Sequence, residues 1–165
     1  MAWGRDESLV VPGRELGLPK SVSRTYTLRR EIFDKEEILA VVRNLVEEAA
    51  EKLRRAKTVG RQFGLIVRNS KDSDVLFITR KCYTNDPLDV FRELKYLYEQ
   101  RQWCGSMRFL GVWNSLLTEE RFETDSLLLT VQKRRLILAA QDKINAKFGN
   151  YTLFPASLLR TQLIY

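Results

Sequence analysis

The residue types that build most hydrolytic and group-transfer sites are scarce in this chain. Histidine is absent from all 165 residues, which excludes Ser-His-Asp and Cys-His catalysis and every His-containing metal site. The two cysteines, Cys82 and Cys104, cannot complete a four-ligand metal site; they read as reduced thiols of the small, core-packing kind rather than as a disulfide framework. Asp72 with Asp74 and Asp86 with Asp89 are the nearest acidic pairs. Two-metal chemistry needs carboxylates converging on cations about 3.5–4 Å apart, whereas these pairs read as a polar turn and a helix cap ahead of Pro87.

What the chain offers instead is cations. Lys and Arg number 28 against 21 Asp and Glu, a net charge of +7. Lys20, Arg24, Arg29 and Arg30 fall within residues 20–30 with no acid among them, and Arg61, Arg68, Arg80, Lys81 and Arg108 punctuate later segments. Guanidinium groups beside Ser and Thr hydroxyls are the donors expected for phosphate oxygens. A concentrated excess implies a polyanionic partner; spread evenly, as a solvated surface balanced by helix carboxylates, it implies only solubility. Aromatic interleaving of the kind that stacks single-stranded bases is not evident along these segments, so duplex-backbone contact is the expectation over a stacking platform.

The elements that must position these groups follow from periodicity. Residues 21–28, rich in Val, Thr and Tyr, predict a first strand. Asp34 and Glu37 have capping-box spacing, and Ile38, Val41, Val42, Leu45, Ala49, Leu53 and Ala56 recur at helical spacing, predicting a helix over 34–57. Residues 59–68 and 75–81 read as strands joined by a polar turn and paired antiparallel. In the first of these, Val59, Phe63, Leu65 and Val67 alternate with Gly60, Gln62, Gly64 and Arg68. Arg61 falls on the apolar parity, leaving a bulge or an edge position open, and Arg80 shares parity with Leu76 and Ile78 while Thr79 sides with Val75 and Phe77.

A second helix, capped by Asn85-Asp86 with Pro87 in its first turn, carries Phe91, Leu94, Leu97 and Tyr98 and is expected to end near Trp103. Residues 107–113 read as a fourth strand, the acidic stretch 118–125 as a solvated connector, and residues 131–148 as a third helix with an apolar stripe of Leu136, Ala140, Ile144 and Phe148. The expected fold class is α+β: a four-stranded antiparallel sheet with two helices on one face, a split βαβ of order β-α-β-β-α-β, plus a C-terminal helix. The sheet's other face would be open. Residues 1–19, with Pro12, Gly13 and Pro19, read as a leader, and no apolar run approaches a membrane span, so no membrane partner and a cytoplasmic location are expected.

Several segments together resemble the C-terminal part of Y-family translesion DNA polymerases, the bacterial polymerase IV and UmuC-like branch most closely. They are Trp3-Gly4-Arg5-Asp6, the run from Pro19 through Ser21-Val22-Ser23-Arg24-Thr25 to Leu28, and Leu53-Arg54-Arg55 through Val59-Gly60-Arg61. Phe77-Ile78-Thr79-Arg80, Thr84-Asn85-Asp86, Arg108-Phe109-Leu110-Gly111-Val112 and Lys143-Ile144-Asn145-Ala146-Lys147-Phe148-Gly149 complete the set. The resemblance implies a little-finger domain: 1–19 a linker from the thumb, 20–117 the DNA-binding domain, 118–165 a connector and C-terminal helical extension.

The resemblance also implies a partner, the primer-template duplex, gripped along its phosphate backbone without sequence specificity during translesion synthesis and DNA repair. Carried over by position, the contacts would come from Lys20, Ser21, Ser23, Arg24, Thr25, Arg61, Arg68, Thr79, Arg80 and Arg108. The remaining polymerase domains would be further partners, and the location that of a bacterial, nucleoid-associated protein. Family catalysis uses palm carboxylates and Mg²⁺, which the resemblance assigns to the parent enzyme, a nucleotidyltransferase; no cofactor is expected in this chain, which would be inactive alone. The alternative reading is a protein-interaction module for the sliding clamp or a regulatory partner. Where such members carry a clamp-binding peptide, this chain has Leu127, Leu128 and Leu129 without the usual glutamine and terminal aromatic, and Gln162-Leu163-Ile164-Tyr165 is a looser echo.

Overall fold

A computed structural model describes residues 17–69, 72–103, 105–122 and 128–159, with the side chain of Phe122 left aside. Its elements run β1 (Ser21–Ile32), α1 (Lys35–Arg55), β2 (Thr58–Arg68), β3 (Ser73–Thr84), α2 (Pro87–Glu99), β4 (Met107–Ser115), β5 (Thr118–Glu119) and α3 (Leu129–Phe148), with short 3-10 turns at Glu120–Phe122 and Ala156–Leu158. The fold is the expected α+β arrangement with an antiparallel sheet and a C-terminal helix. The four long strands lie in the order β1-β4-β2-β3, every pairing antiparallel.

Local chemistry explains the element ends. Asp34 caps α1 by accepting from the Glu37 amide at 2.9 Å, although the Glu37 carboxylate turns to Arg30 rather than back to the cap. Asp86 caps α2 by accepting from the Leu88 amide at 2.8 Å, with Pro87 in the first turn. The β2–β3 turn closes through the Asn69 side chain, whose Oδ1 accepts from the Asp72 amide. β1 is longer than the expected 21–28 because an irregularity between Thr27 and Ile32 returns Ile32 to the core opposite Met107.

Alternation builds the core. Leu28 of β1, Phe63, Leu65 and Val67 of β2, and Leu110 and Val112 of β4 point to one side and bury against Val41, Val42, Leu45 and Ala49 of α1 and Val90 and Leu94 of α2. Burying an aliphatic or aromatic side chain of this size is worth about 1.5–3 kcal/mol. Among the described residues, α1 and α2 pack on this one side of the sheet and no helix of the core covers the other.

Four expectations are corrected. The connector is partly sheet: Thr118 and Glu119 pair with Val59 and Thr58, because the Glu120 amide donates to the Lys57 carbonyl and brings the chain back beside β2. α2 stops at Glu99, with Trp103 folded back so that its indole donates to the Tyr98 carbonyl and stacks on the Tyr98 ring. Cys82 is exposed, lying where β3 bulges away from β2, while Cys104 lies outside the described residues.

The fourth concerns α3. Leu136 is 71% and Phe148 66% exposed, and Leu138 and Asn145 are the buried positions. The inward face was set by ion pairs instead of an apolar stripe. Arg54 of α1 grips the Asp142 carboxylate through Nε and Nη2 at 2.6 and 2.8 Å, and Arg134 reaches Asp86 at 3.1 Å. Asn145 completes the anchorage by bonding the Leu153 amide and carbonyl.

Candidate nucleic-acid interface

The strand registers decide which side chains share the open face. From β1 come Ser21, Ser23, Thr25 and Thr27; opposite them on β4 stand Ser115, Trp113, Gly111 and Phe109. β2 continues the rows with Gln62, Gly64, Ile66 and Arg68, and β3 with Thr79, Phe77, Val75 and Ser73. None of these positions is acidic. A hydroxyl row therefore lines one edge strand, and an apolar and aromatic band crosses the middle.

Two glycines make the band possible. A Cβ on Gly64 would stand 2.1 Å from Trp113 Cε2, so the indole occupies the space that a side chain there would need. On Gly111 a Cβ would meet the Thr25 methyl at 3.0 Å and the Ile66 side chain. Phe77 and Trp113 sit with ring centroids 6.3 Å apart and planes tilted by 39°, and Phe77 is 59% exposed. The Arg68 guanidinium lies over the Phe109 ring at 5.1 Å. At the other end Gln62 donates to Thr79 at 3.0 Å and accepts from Ser115 at 2.6 Å, which holds that amide in place.

The expected contact residues separate into groups. Ser21, Ser23, Thr25, Arg68 and Thr79 are brought together on the open face. Arg24 and Arg80 take the helix-facing parity. Arg24 Nε lies 3.2 Å from Glu48 of α1, and Arg80 lies 3.5 Å from Glu93 and 3.9 Å from Asp89 of α2. Arg61 sits at the bulge between Gly60 and Gln62 with its guanidinium over the Tyr83 ring at 5.6 Å. Lys20 is exposed just ahead of β1, and exposed Arg108 donates to the Arg29 carbonyl at 3.3 Å. Leu128 and Leu129 are exposed at the start of α3; Leu127 and the segment 162–165 lie outside the described residues.

Phe77, Phe109 and Trp113 were missed because their interleaving runs across strands β3 and β4, not along either one. The available signal was Gly64, a bare position inside an otherwise well-filled strand.

Behind the sheet, the helix layer holds a buried ion pair. Arg43 donates to Glu47 at 2.7 Å and to the Pro87 carbonyl at 2.8 Å. Burial pushes the Glu47 carboxyl above its ordinary range against the opposing pull of Arg43, Arg54 and Arg134, and burial lowers Arg43 from its usual value. Three of the four carboxylates weighed for metal chemistry are engaged elsewhere: Asp74 with Arg101, Asp86 with the α2 cap and Arg134, Asp89 with Arg80 and Arg92. Among the described residues no three His, Cys, Asp or Glu side chains gather as a metal ion would require. No described helix is long and apolar enough to cross a membrane.

Comparison with known proteins places this arrangement. The model of the impB/mucB/samB family C-terminal domain matches residues 19–127. DNA polymerase IV of Desulfatibacillum aliphaticivorans is 30% identical over 168 residues, covering 96% of this chain and 41% of that protein. DNA polymerase IV 1 of Bacillus subtilis is 24% identical over 151 residues, covering 87% and 36%. The chain thus spans about two fifths of the length of the curated relatives it matches. A post-insertion binary complex of Dbh DNA polymerase superposes with a TM-score of 0.53 at 16% identity, covering 60% of this chain and 29% of that one. A Y-family DNA polymerase chimera gives 0.55 at 17%, covering 62% and 30%. At these identities the structural likeness speaks for the fold.

Proposed function

Because the chain belongs to the impB/mucB/samB C-terminal domain family, the little-finger domain of Y-family DNA polymerases, we propose that it holds primer-template duplex for a damage-tolerant polymerase by gripping the phosphate backbone. The observation that carries this reading is the open face, whose paired positions carry no acid along the row of Ser21, Ser23, Thr25 and Thr27. Exposed Lys20 and Arg108 and the open-face Arg68 supply charge beside it. Hydroxyls and guanidinium groups position a duplex by its phosphates and carry little sequence information, which suits a template with damaged bases.

In this proposal residues 20–117 form the binding domain, 1–19 lead in from the thumb, and 118–165 form the connector and helical extension. The Mg²⁺ of the parent enzyme is assigned to its other domains, and Asp74, Asp86 and Asp89 here are committed to a cap or to ion pairs. The chain alone, given Mg²⁺, nucleotides and a primed template, is expected to extend nothing.

The test is a salt titration with fluorescent duplex. Neutralising about three phosphates, one each by Lys20, Arg68 and Arg108, gives a slope of log K against log salt of roughly −3. A slope near zero sinks the mechanism. A second reading, docking of a sliding clamp or regulatory partner, draws on the exposed Leu128, Leu129 and Leu136 of the α3 region; it requires that Leu128→Ser and Leu129→Ser abolish the function while duplex affinity is untouched.

A further inference from the structure

The hydroxyl row explains phosphate contact, yet it leaves unexplained why the centre of the same face is aromatic. An exposed phenylalanine beside an indole is costly on a surface that only meets phosphates, where Ser or Thr would serve. Here the indole is also held flat by design of the register: Gly64 stands opposite both Trp113 and Phe77, and its missing side chain is the indole's seat. The indole is therefore ordered before any ligand arrives, which lowers the entropic cost of stacking something on it.

We propose that Phe77 and Trp113 form a stacking platform for unpaired bases, so that the open face takes single-stranded DNA as well as duplex. Charge complementarity selects this occupant. The band is bordered across the sheet by the β1 hydroxyls and along the strands by Arg68 over Phe109, and none of these paired positions is acidic. Successive bases stack on adjoining rings while their phosphates reach these donors, the arrangement by which sheets hold single strands with little sequence preference. A protein partner or second copy would match the apolar band but leave the flanking donors without an anion.

The inference rests on the DNA-binding reading, and the experiment separates the two. The full chain is titrated by fluorescence anisotropy with an oligodeoxythymidine of about 12 nucleotides, an abasic strand of the same length and charge, and a blunt duplex. The expected result is tighter binding of oligodeoxythymidine than of the abasic strand. Phe77→Ala should weaken oligodeoxythymidine binding between about fivefold and a hundredfold, with the abasic strand and the blunt duplex unaffected and Phe77→Tyr restoring affinity. Phe77→Leu, which keeps apolar area without a ring, should behave like Phe77→Ala and guards against a folding artefact. Equal binding of the abasic and base-bearing strands, or an unchanged Phe77→Leu variant, overturns the platform while leaving duplex binding intact. Loss of wild-type duplex binding with a preserved preference for bases would instead overturn the duplex reading. Self-association that depends on Phe77, without base preference, would assign the band to a second copy and also overturn the proposal.

Discussion

Gly64 and Trp113 are register partners on adjacent strands, and the indole of one lies where the other's Cβ would be, 2.1 Å from Cε2. The contact joins a backbone requirement to a surface property: the glycine is needed so that the tryptophan can lie across the sheet, and the tryptophan's orientation sets the chemistry of the open face.

Gly64→Ala should therefore dislodge the indole. Overpacking of this kind costs about 1–3 kcal/mol, read as a lowered denaturant midpoint, and the displaced ring should lose near-ultraviolet dichroism. An unchanged spectrum in a fully stable variant would show that the indole is not seated on residue 64.

The cations should divide by whether a helix carboxylate already holds them. Arg68→Ala and Arg108→Ala are each expected to reduce the salt slope of duplex binding by about one. Arg24, whose side chain is 40% exposed and paired with Glu48 on the helix side, should behave differently: Arg24→Ala leaves the slope unchanged and costs no more than about 1 kcal/mol of stability. A slope reduced equally by all three would place Arg24 against DNA.

The C-terminal helix should come loose when its ion pairs are cut. Arg54 and Asp142 are partly buried and bonded through two nitrogens, so Asp142→Ala should cost about 1–3 kcal/mol. Hydrogen exchange should then rise across α3 while β2 and β4 stay protected. A double-mutant cycle with Arg54→Ala checks the coupling; additive losses would count against an Arg54–Asp142 anchorage of α3.

Glu47 should impose a pH dependence of defined sign. Its folded-state pKa is raised by burial, with Arg43, Arg54 and Arg134 pulling it down and Asp86 pushing it up. The folded chain thus holds this proton more tightly than the unfolded one, and the stability tied to Glu47 is complete below about 4.5, the ordinary carboxyl value, and declines as pH rises through the folded pKa. Glu99 has the opposite sign, since its bond to Lys35 lowers it. Urea unfolding of wild type and Glu47→Gln from pH 4 upward should show the two curves diverging, the variant losing less as pH increases.

Much of the fold was legible because strands, helices and caps are local. Asp34 three residues before Glu37, Asp86 before Pro87, and the alternation of Phe63, Leu65 and Val67 with Gln62, Gly64 and Arg68 need no partner to be read. The third helix was the exception in placement. Its stripe of Leu136, Ala140, Ile144 and Phe148 promised an apolar inward face, but Arg54 and Asp86 on distant segments captured Asp142 and Arg134 and turned a different face inward.

The candidate site was legible in its residue types and not in its assembly. By itself the sequence determined the element order, the excess of cations and the exclusion of histidine chemistry, because composition and short-range periodicity are properties of the chain alone. Only the tertiary structure decided that Arg68 stands on the open face while Arg24 and Arg80 are paired behind the sheet, and that Phe77 and Trp113 meet over Gly64. Register sets those neighbours, and register is settled by burying one whole face at once, since a one-residue slip would move every side chain to the other side.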